Sequence, residues 1–406
     1  MNRKLPLSPF LLFAVLLFLL NEYTLNALAP LLNKTTIVGL WLLPSLSLLL
    51  LFYALMRIQV EGMSLKFKLS AHVLLVYFSS LLVMVTVLLL TDIVRLVVAV
   101  AKFFIDQQGF VLMSRPTFTG YAALLLGFLL VLAFLYGILK GKYAYRLIKH
   151  QLFFKDLPPA FDGFRIVQIS DIHAGSLNNS NAIQKGIDLI TKQNADLFVF
   201  TGDLVNNKAE EIVPFMEHFS QIKAPYGQFS ILGNHDYGDY IAWPNEASKL
   251  ANLEQLKKYH AQIGFRLLLD EYICLQKDQQ RLYLLGVENW GLGFGQRGNL
   301  NRALADLAPN DFKILLSHDP THWEAEVKNH PSNIALTLSG HTHGMQFGIE
   351  LFGWKWSPVQ FRYKHWAGIK EENGRIININ RGFGFLGFSG RVGIWPEVSL
   401  IELRRG

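Results

Sequence analysis

Four long apolar stretches near the start of the chain limit what it can fold into more than any other feature. They cover residues 7–29, 36–56, 72–90 and 118–139. Each offers about 20 mostly apolar residues, the length that an α-helix needs to cross the hydrocarbon core of a bilayer. Helices buried in a soluble core rarely remain almost free of charge for so long. The sequence therefore predicts a transmembrane region within residues 1–150, followed by a second domain over residues 151–406.

The third apolar stretch continues into a segment that contains charges. Residues 92–106 are still largely apolar, but they include Arg95 and Lys102. The part between the acids at either end has only about 13 residues, too few to cross a bilayer. We therefore expect this segment to continue the third helix along the membrane interface.

The uneven distribution of charge predicts how the chain is oriented. Residues 1–150 contain 13 Lys/Arg and 4 Asp/Glu, whereas residues 151–406 contain 25 and 27. With the N-terminus inside, ten Lys/Arg lie in or beside the cytoplasmic loops and four on the outer side. Because cytoplasmic loops carry the excess of Lys/Arg, this count favours an N-in orientation. We therefore expect a multi-pass protein of the inner cell membrane with residues 151–406 in the cytoplasm.

The same numbers exclude some classes of function. A near-neutral second domain has no basic stripe with which to neutralise phosphates, so nucleic-acid binding is not expected. The high apolar fraction, 51%, excludes intrinsic disorder. The only cysteine is Cys274, which excludes an intramolecular disulfide framework and a zinc site built from cysteines.

After residue 158 the pattern changes to short apolar strands that alternate with amphipathic helices. This alternation predicts an α/β architecture with a sheet core covered by helices. The candidate helices are residues 181–192 and 209–222. The candidate strands are residues 164–170, 197–201, 228–232, 272–276 paired with 281–287, 312–317, 334–338, 376–380 and 398–403.

Side chains that can bind metal ions follow five of these strands. Carboxylates, an amide and imidazoles occur there, and ligands in α/β sheets collect at the carboxyl ends of strands. This donor set suits hard or borderline divalent cations. Seven candidates exceed the needs of one ion but suit two ions that share a bridging carboxylate, an arrangement able to catalyse in-line phosphoryl displacement. The candidates are Asp171, His173, Asp203, Asn234, His318, His341 and His343.

The order and spacing of these motifs resemble the calcineurin-like metallophosphoesterase superfamily over residues 160–406. The membrane-linked bacterial branch is matched in detail by GNHDY at 233–237, SHDP at 317–320, SGHTHGMQ at 339–346 and NRGFG at 380–384. Met345 is a departure, because the branch usually has glycine there. The resemblance implies a four-layer αββα sandwich with a dimetal centre at its top.

The resemblance also implies roles for individual residues. One ion would be bound by Asp171, His173 and His343, and the other by Asn234, His318 and His341, with Asp203 bridging them. His235 would be the catalytic histidine that protonates the leaving oxygen, a role that suits imidazole; a hydrogen bond that only holds its loop is the alternative. Arg381 would contact the substrate phosphate, or else form a structural ion pair.

These features together predict a membrane-anchored phosphoesterase in which a metal-bridging hydroxide attacks a phosphomonoester or phosphodiester. Manganese, iron, zinc or magnesium could serve, since ligand type does not choose among them. Four helices exceed what a tether needs, which favours an amphiphilic substrate from the bilayer. The alternatives are an enzyme like the UDP-diacylglucosamine pyrophosphohydrolases of lipid A synthesis, and a non-catalytic membrane scaffold or transporter-like protein.

Overall fold

The computed structural model describes residues 7–57, 65–105 and 109–406. The chain divides into two compact units, Met1–Tyr136 and Gly137–Gly406. We call them the membrane region and the C-terminal domain and describe each by itself.

The membrane region contains the four predicted helices. They are α1 (Leu7–Leu28), α2 (Lys34–Met56), α3 (Leu65–Ile105) and α4 (Thr117–Leu139), whose last residues belong to the C-terminal domain. All four are long and apolar enough to cross a membrane. Helix α2 begins where the Asn33 side chain accepts a hydrogen bond from the Thr36 backbone N–H, which satisfies one of the free donors of the first turn.

Helix α3 is longer than the predicted crossing over residues 72–90. It includes residues 92–105 without a break, because no glycine or proline occurs between Leu65 and Ile105 to interrupt it. Its 41 residues extend about 60 Å, roughly twice the thickness of the hydrocarbon core. Part of α3 must therefore lie outside the apolar layer.

One carboxylate organises the polar contacts at the far end of α3. Asp92 accepts hydrogen bonds from Arg95 at 2.6 Å, from Arg115 at 2.7 and 2.5 Å, and from the Tyr23 hydroxyl at 2.8 Å. These contacts join residues from α1, α3 and the segment before α4. Two arginines therefore share one carboxylate, which leaves this group with a net positive charge.

The C-terminal domain contains two six-stranded sheets and a small hairpin. The first sheet has the order β1-β14-β2-β3-β4-β5, and the second β12-β13-β9-β8-β7-β6. In chain order the strands are β1 (Arg146–Phe154), β2 (Arg165–Ile169), β3 (Leu197–Phe200), β4 (Gln228–Ser230), β5 (Arg266–Leu267), β6 (Glu271–Lys277), β7 (Gln280–Gly286), β8 (Lys313–Leu316), β9 (Ile334–Ser339), β10 (Ile349–Leu351), β11 (Trp354–Trp356), β12 (Gly368–Glu372), β13 (Arg375–Ile379) and β14 (Glu397–Arg405).

Three apolar clusters define four layers. The middle cluster joins inward-facing residues of both sheets, such as Ile166 and Val199 from one and Leu284 and Leu336 from the other. The outer face of the first sheet is covered by α5 (Ser180–Thr191) and α7 (Glu246–Gln262), and that of the second by α8 (Leu300–Ala303) and the turn Trp323–Val327. The predicted αββα sandwich is confirmed.

Two parts of the domain differ from the predicted elements. Residues 209–222 form a 3₁₀ segment, Ala209–Phe215, and only a short helix α6, Met216–Phe219, because Pro214 cannot donate the backbone hydrogen bond that a regular helix needs. The predicted domain boundary after residue 150 falls inside β1, which pairs in parallel with β14, whereas the two compact units meet between Tyr136 and Gly137.

Candidate metal centre

The structure brings all seven predicted ligands together at one edge of the sandwich. Both sheets contribute, because β2, β3 and β4 belong to the first sheet and β8 and β9 to the second. The site therefore straddles the two sheets. Asp171 and His173 follow β2, Asp203 follows β3, Asn234 follows β4, His318 follows β8, and His341 and His343 follow β9.

The first group consists of Asp171, His173 and His343, whose potential ligand atoms lie within 4.8 Å of one another. His343 Nε2 lies 3.2 Å from Asp171 Oδ1 and 3.0 Å from His173 Nε2. Asp171 and His173 are fully buried, and His343 is nearly so. Two imidazole nitrogens so close to a carboxylate form a compact set of donors that suits a divalent cation.

The second group consists of Asn234, His318 and His341. The Asn234 amide oxygen lies 3.1 Å from His318 Nε2 and 2.9 Å from His341 Nδ1. The two imidazole nitrogens lie 3.3 Å apart. These three side chains converge on one point, as the ligands of a second ion would.

Asp203 lies between the two groups. Its Oδ2 atom lies 3.5 Å from His173 Nε2 in the first group and 3.2 Å from His318 Nε2 in the second. Its other oxygen, Oδ1, accepts a hydrogen bond of 2.8 Å from the backbone N–H of His235. Asp203 is thus placed where a carboxylate could bridge two ions.

The backbone around these residues is held in an unusual conformation. Five of the seven have a positive φ, between 47° and 71°: Asp171, His173, Asp203, His341 and His343. This region is unfavourable for residues other than glycine, and it persists only where surrounding structure enforces it. Gly340 permits one close approach, because a Cβ atom there would lie 1.8 Å from the Ser170 hydroxyl. The local fold thus places the ligands at the cost of an unfavourable backbone conformation.

Burial and neighbouring charges shift the pKa values of these groups. Burial lowers the pKa of His341 to about 4 and that of His173 well below its usual value, which keeps both imidazoles neutral, the form that binds metal. Burial also opposes protonation of His318, but the Asp203 carboxylate outweighs it and raises the pKa of His318 to about 10. Asp203 and His318 therefore form a charged pair when no cation is bound.

His235 lies beside the two groups. Its ring centroid lies 5.0 Å from that of His173, and its ring stacks on Tyr240 at 4.3 Å. Nδ1 lies 2.9 Å from the carbonyl oxygen of Asn206. Since a carbonyl only accepts, Nδ1 carries the hydrogen, and Nε2 is the nitrogen that can gain or lose a proton.

Asp236 supports the loop of His235. Its carboxylate accepts hydrogen bonds from the backbone N–H groups of Asp203, Leu204, Val205 and Gly233, at 2.8–3.2 Å. Burial and the nearby Asp203 charge raise the pKa of Asp236 to about 7. Asp236 thus joins the loops that follow β3 and β4.

Arg381 contacts two carboxylates. Its Nε and Nη2 atoms donate to Glu350 at 2.9 and 2.5 Å, and its Nη1 atom donates to Glu397. These contacts correspond to the structural ion pair that the sequence left open. A contact between Arg381 and a substrate phosphate stays a prediction.

Two tyrosines that the sequence did not single out contact the predicted ligands. The Tyr240 hydroxyl accepts a hydrogen bond of 2.7 Å from the Asn234 side chain, and the Tyr363 hydroxyl lies 2.8 Å from His341 Nε2. Asp319 Oδ2 lies 3.4 Å from the same nitrogen of His341. Tyr363 and Asp319 therefore orient His341 from the side opposite its Nδ1 atom. Neither tyrosine follows a strand, so position along the chain gave no signal.

A further cluster of potential ligands, Glu324, His365 and Glu372, lies elsewhere in the C-terminal domain. The ammonium group of Lys328 donates to Glu324 at 2.7 Å and to Glu372 at 3.0 Å. Because the lysine supplies the cation, these contacts describe a salt-bridge network.

Comparisons with known proteins agree with this geometry. Residues 164–345 match the family described as calcineurin-like phosphoesterase. Residues 6–142 match a second family, described as the probable calcineurin-like phosphoesterase transmembrane domain. The chain therefore carries a calcineurin-like phosphoesterase domain preceded by a four-helix transmembrane phosphoesterase domain, and it is a membrane-associated metallophosphoesterase.

Individual relatives include bacterial metallophosphoesterases. The uncharacterized metallophosphoesterase YkuE of Bacillus subtilis is 28% identical over 254 residues, which cover 61% of this chain and 82% of that protein. Phosphodiesterase YaeI of Escherichia coli is 28% identical over 264 residues, 64% of this chain and 88% of that protein. UDP-2,3-diacylglucosamine pyrophosphatase LpxG of Chlamydia trachomatis is 28% identical over 275 residues, 56% of this chain and 81% of that protein. Two further relatives are matched over 60% and 61% of their own length.

Proposed function

We propose that the C-terminal domain hydrolyses a phosphomonoester or phosphodiester with two divalent cations, manganese, iron, zinc or magnesium. The position of Asp203 carries this proposal, since one carboxylate oxygen lies within 3.5 Å of an imidazole nitrogen in each ligand group. Asp171, His173 and His343 would hold one ion, and Asn234, His318 and His341 the other. Bound there, the ions would supply Lewis acidity and lower the pKa of a water molecule.

The side chains around the ions would position the substrate and transfer protons. His235 Nε2 would donate a proton to the leaving oxygen, because its other nitrogen is held by the Asn206 carbonyl. Tyr363 and Asp319 would fix His341. The presence of a competent side chain at every predicted ligand position argues against a non-catalytic scaffold.

Hydrolysis of bis-p-nitrophenyl phosphate tests the proposal. We expect wild-type protein with added manganese to release p-nitrophenol, and Asp203→Ala to lower kcat by about 10³-fold, the upper end of the cost of losing one transition-state contact. The matched control is Asp278→Ala, on the turn between β6 and β7, which should keep full activity. Equal rates for wild type and Asp203→Ala under several metals and pH values would contradict the proposal.

We also propose a narrower substrate, a nucleotide-linked lipid on the cytoplasmic side of the inner membrane. The observation in its favour is the similarity to LpxG of Chlamydia trachomatis, together with the predicted N-in orientation. Complementation of a strain that lacks the UDP-diacylglucosamine hydrolase tests this version. Failure to complement by well-expressed, membrane-inserted protein would count against it, without affecting the broader proposal.

A further inference from the structure

The hairpin of β10 and β11 has an apolar face that the C-terminal domain leaves uncovered. Ile349 pairs with Trp356 and Leu351 with Trp354, and because side chains alternate along a strand, these four lie on one face. Ile349, Leu351 and Trp354 are half or more exposed. Glu350 and Lys355 pair on the other face. The hairpin is therefore amphipathic, with its apolar face outward.

The hairpin tip adds an even more exposed aromatic ring. Phe352 and Gly353 form the turn with φ values of 50° and 83°, a conformation that usually selects asparagine or glycine at both positions. Phe352 is nevertheless 99% exposed, and Phe361 nearby in sequence is 82% exposed. In water, such a tip has both an unfavourable backbone and an unfavourable side chain, which points to a functional constraint.

Polar contacts attach the opposite face of the hairpin to the rest of the domain. Glu350 accepts hydrogen bonds from Arg381, and Lys355 donates to the carbonyl oxygen of Ala367. An amphipathic hairpin on a soluble domain usually turns its polar face to water. This one attaches its polar face to the domain and leaves its apolar face exposed, so the surroundings of the apolar face should themselves be apolar.

Short backbone links connect the hairpin to the end of α4. The Gly137 carbonyl, in the last turns of α4, accepts a hydrogen bond of 3.2 Å from the Arg391 N–H. The next residue, Val392, donates to Gln346 at 2.8 Å and accepts from Gly348 at 2.9 Å. Gly348 directly precedes β10. The segment that leaves the membrane and the base of the hairpin are thus joined within the C-terminal domain.

Two exposed apolar side chains lie close along the chain to residues of the metal centre. Met345 follows the ligand His343 by two residues and is more than half exposed. Phe361 precedes Tyr363 by two residues, and the Tyr363 hydroxyl contacts the ligand His341. Arg362 and Lys364, also exposed, add positive charge that would attract anionic lipid headgroups.

We propose that this hairpin inserts its apolar face into the interface of the bilayer leaflet from which α4 emerges. Tryptophan and phenylalanine side chains favour this depth of a membrane. Building on the proposed function, we infer that the substrate is a phosphoester of an amphiphile that stays in that leaflet during hydrolysis. The hairpin would hold the metal centre beside the lipid headgroups.

Site-directed spin labelling tests the insertion directly. Cys274 is the only cysteine, so a Cys274→Ser background allows one nitroxide at a time to be attached at Phe352→Cys or Phe361→Cys. The control is Leu250→Cys, on the exposed face of α7. Full-length protein is reconstituted in vesicles of phosphatidylethanolamine and phosphatidylglycerol, and power saturation compares collisions with oxygen and with a water-soluble nickel chelate.

We expect the labels at positions 352 and 361 to collide more with oxygen, which concentrates in lipid, and the control label to collide more with the nickel chelate. Labels at these two positions that are as accessible to the chelate as the control would overturn the proposal. Labels shielded from both reagents would also overturn it, since a second protein surface would then cover the hairpin.

Two substrates with the same leaving group test the consequence for catalysis. Phe352→Asp should lower the rate on hexadecyl p-nitrophenyl phosphate in vesicles about tenfold or more, and should change the rate on soluble bis-p-nitrophenyl phosphate less than twofold. Aspartate tolerates the positive φ of this turn, and Leu250→Asp is the matched control. Equal effects on both substrates would overturn the inference about the substrate. Inert wild-type protein would contradict the proposed function, whereas the spin labels would still decide the position of the hairpin.

Discussion

The membrane region exposes large apolar side chains, whereas the C-terminal domain buries charged and polar side chains at its strand ends. Along α1, α2 and α4, large apolar side chains such as Leu12, Leu49 and Phe128 are on the outside. In the C-terminal domain, charged or polar groups such as Asp171 and His318 are fully buried. A bilayer explains the first pattern, because only apolar groups are stable against lipid tails. Neither water nor lipid around the C-terminal domain explains the second pattern.

The two regions also differ in how they compensate charge. In the membrane region, Asp92 is paired with Arg95 and Arg115. At the strand ends of the C-terminal domain, two carboxylates face several imidazoles, and burial keeps two of these, His173 and His341, neutral. Burying such groups costs free energy unless a partner compensates them, and divalent cations are the compensation that we propose. Carboxylates that bound cations would compensate therefore belong to a site, whereas a carboxylate paired with arginines belongs to the fold.

The largest effect that sharpens this distinction is expected at His235. We expect His235→Ala to lower kcat by about 10²- to 10⁴-fold on an alkyl phosphodiester, because the alkoxide needs a proton to leave. On p-nitrophenyl esters the loss should be much smaller, since that anion leaves unprotonated. Steady-state kinetics on both esters measures the difference.

The control for this prediction is His218→Ala, whose imidazole contacts Gln184 near the domain surface. It should change neither rate. If His235→Ala lowered the rate on both esters by the same factor, His235 would hold its loop and would not transfer a proton.

The metal ligands that follow strands could be predicted from the sequence, because each of them stands just after the apolar run of its own strand. The structure brings all seven such residues together, and the predicted sandwich is confirmed. The contacts of Arg381 could not be predicted in the same way. Its partners Glu350 and Glu397 are distant from it along the chain, and only the fold brings them together.

Two secondary-structure elements of the C-terminal domain were not predicted from the sequence. Strand β1 pairs with β14, the last strand of the domain, and no strand was predicted between residues 139 and 164. Helix α7 buries Asn252 and His260 alongside Leu256. Because polar residues occupy part of its buried face, the apolar spacing expected of an amphipathic helix is weak.

His260 provides the next prediction, because it is a buried titratable group far from the strand ends. Burial lowers its folded-state pKa to about 3 from 6.5, and its Nδ1 lies 2.9 Å from the Ser230 hydroxyl. The stability gained by keeping it neutral is complete above pH 6.5 and is lost as the pH falls toward about 3. Between pH 6.5 and 5 this contribution to the free energy of unfolding should fall by about 1.6 kcal/mol.

Denaturant unfolding of the full chain at several pH values measures this effect. His260→Gln stays neutral throughout and should lessen the pH dependence by the amount that His260 contributes, while hydrolysis at neutral pH stays within about twofold of wild type. His218→Gln should keep the wild-type dependence. A slope unchanged in His260→Gln would mean that other groups cause the loss of stability in acid.

The smallest effect is expected at Tyr363, whose hydroxyl contacts a predicted metal ligand but would not contact an ion. Tyr363→Phe removes the hydroxyl 2.8 Å from His341 Nε2 and keeps the ring. Partners that orient metal ligands typically contribute 10- to 100-fold to metal affinity or activity, and Asp319 still faces His341 here. We therefore expect about a tenfold weaker affinity for manganese, seen as a higher metal concentration for half-maximal activity, with the rate at saturating metal nearly unchanged. Tyr272→Phe, on β6 away from the centre, is the matched control. A lower rate at saturating metal with unaltered metal dependence would instead indicate that the hydroxyl acts on the substrate.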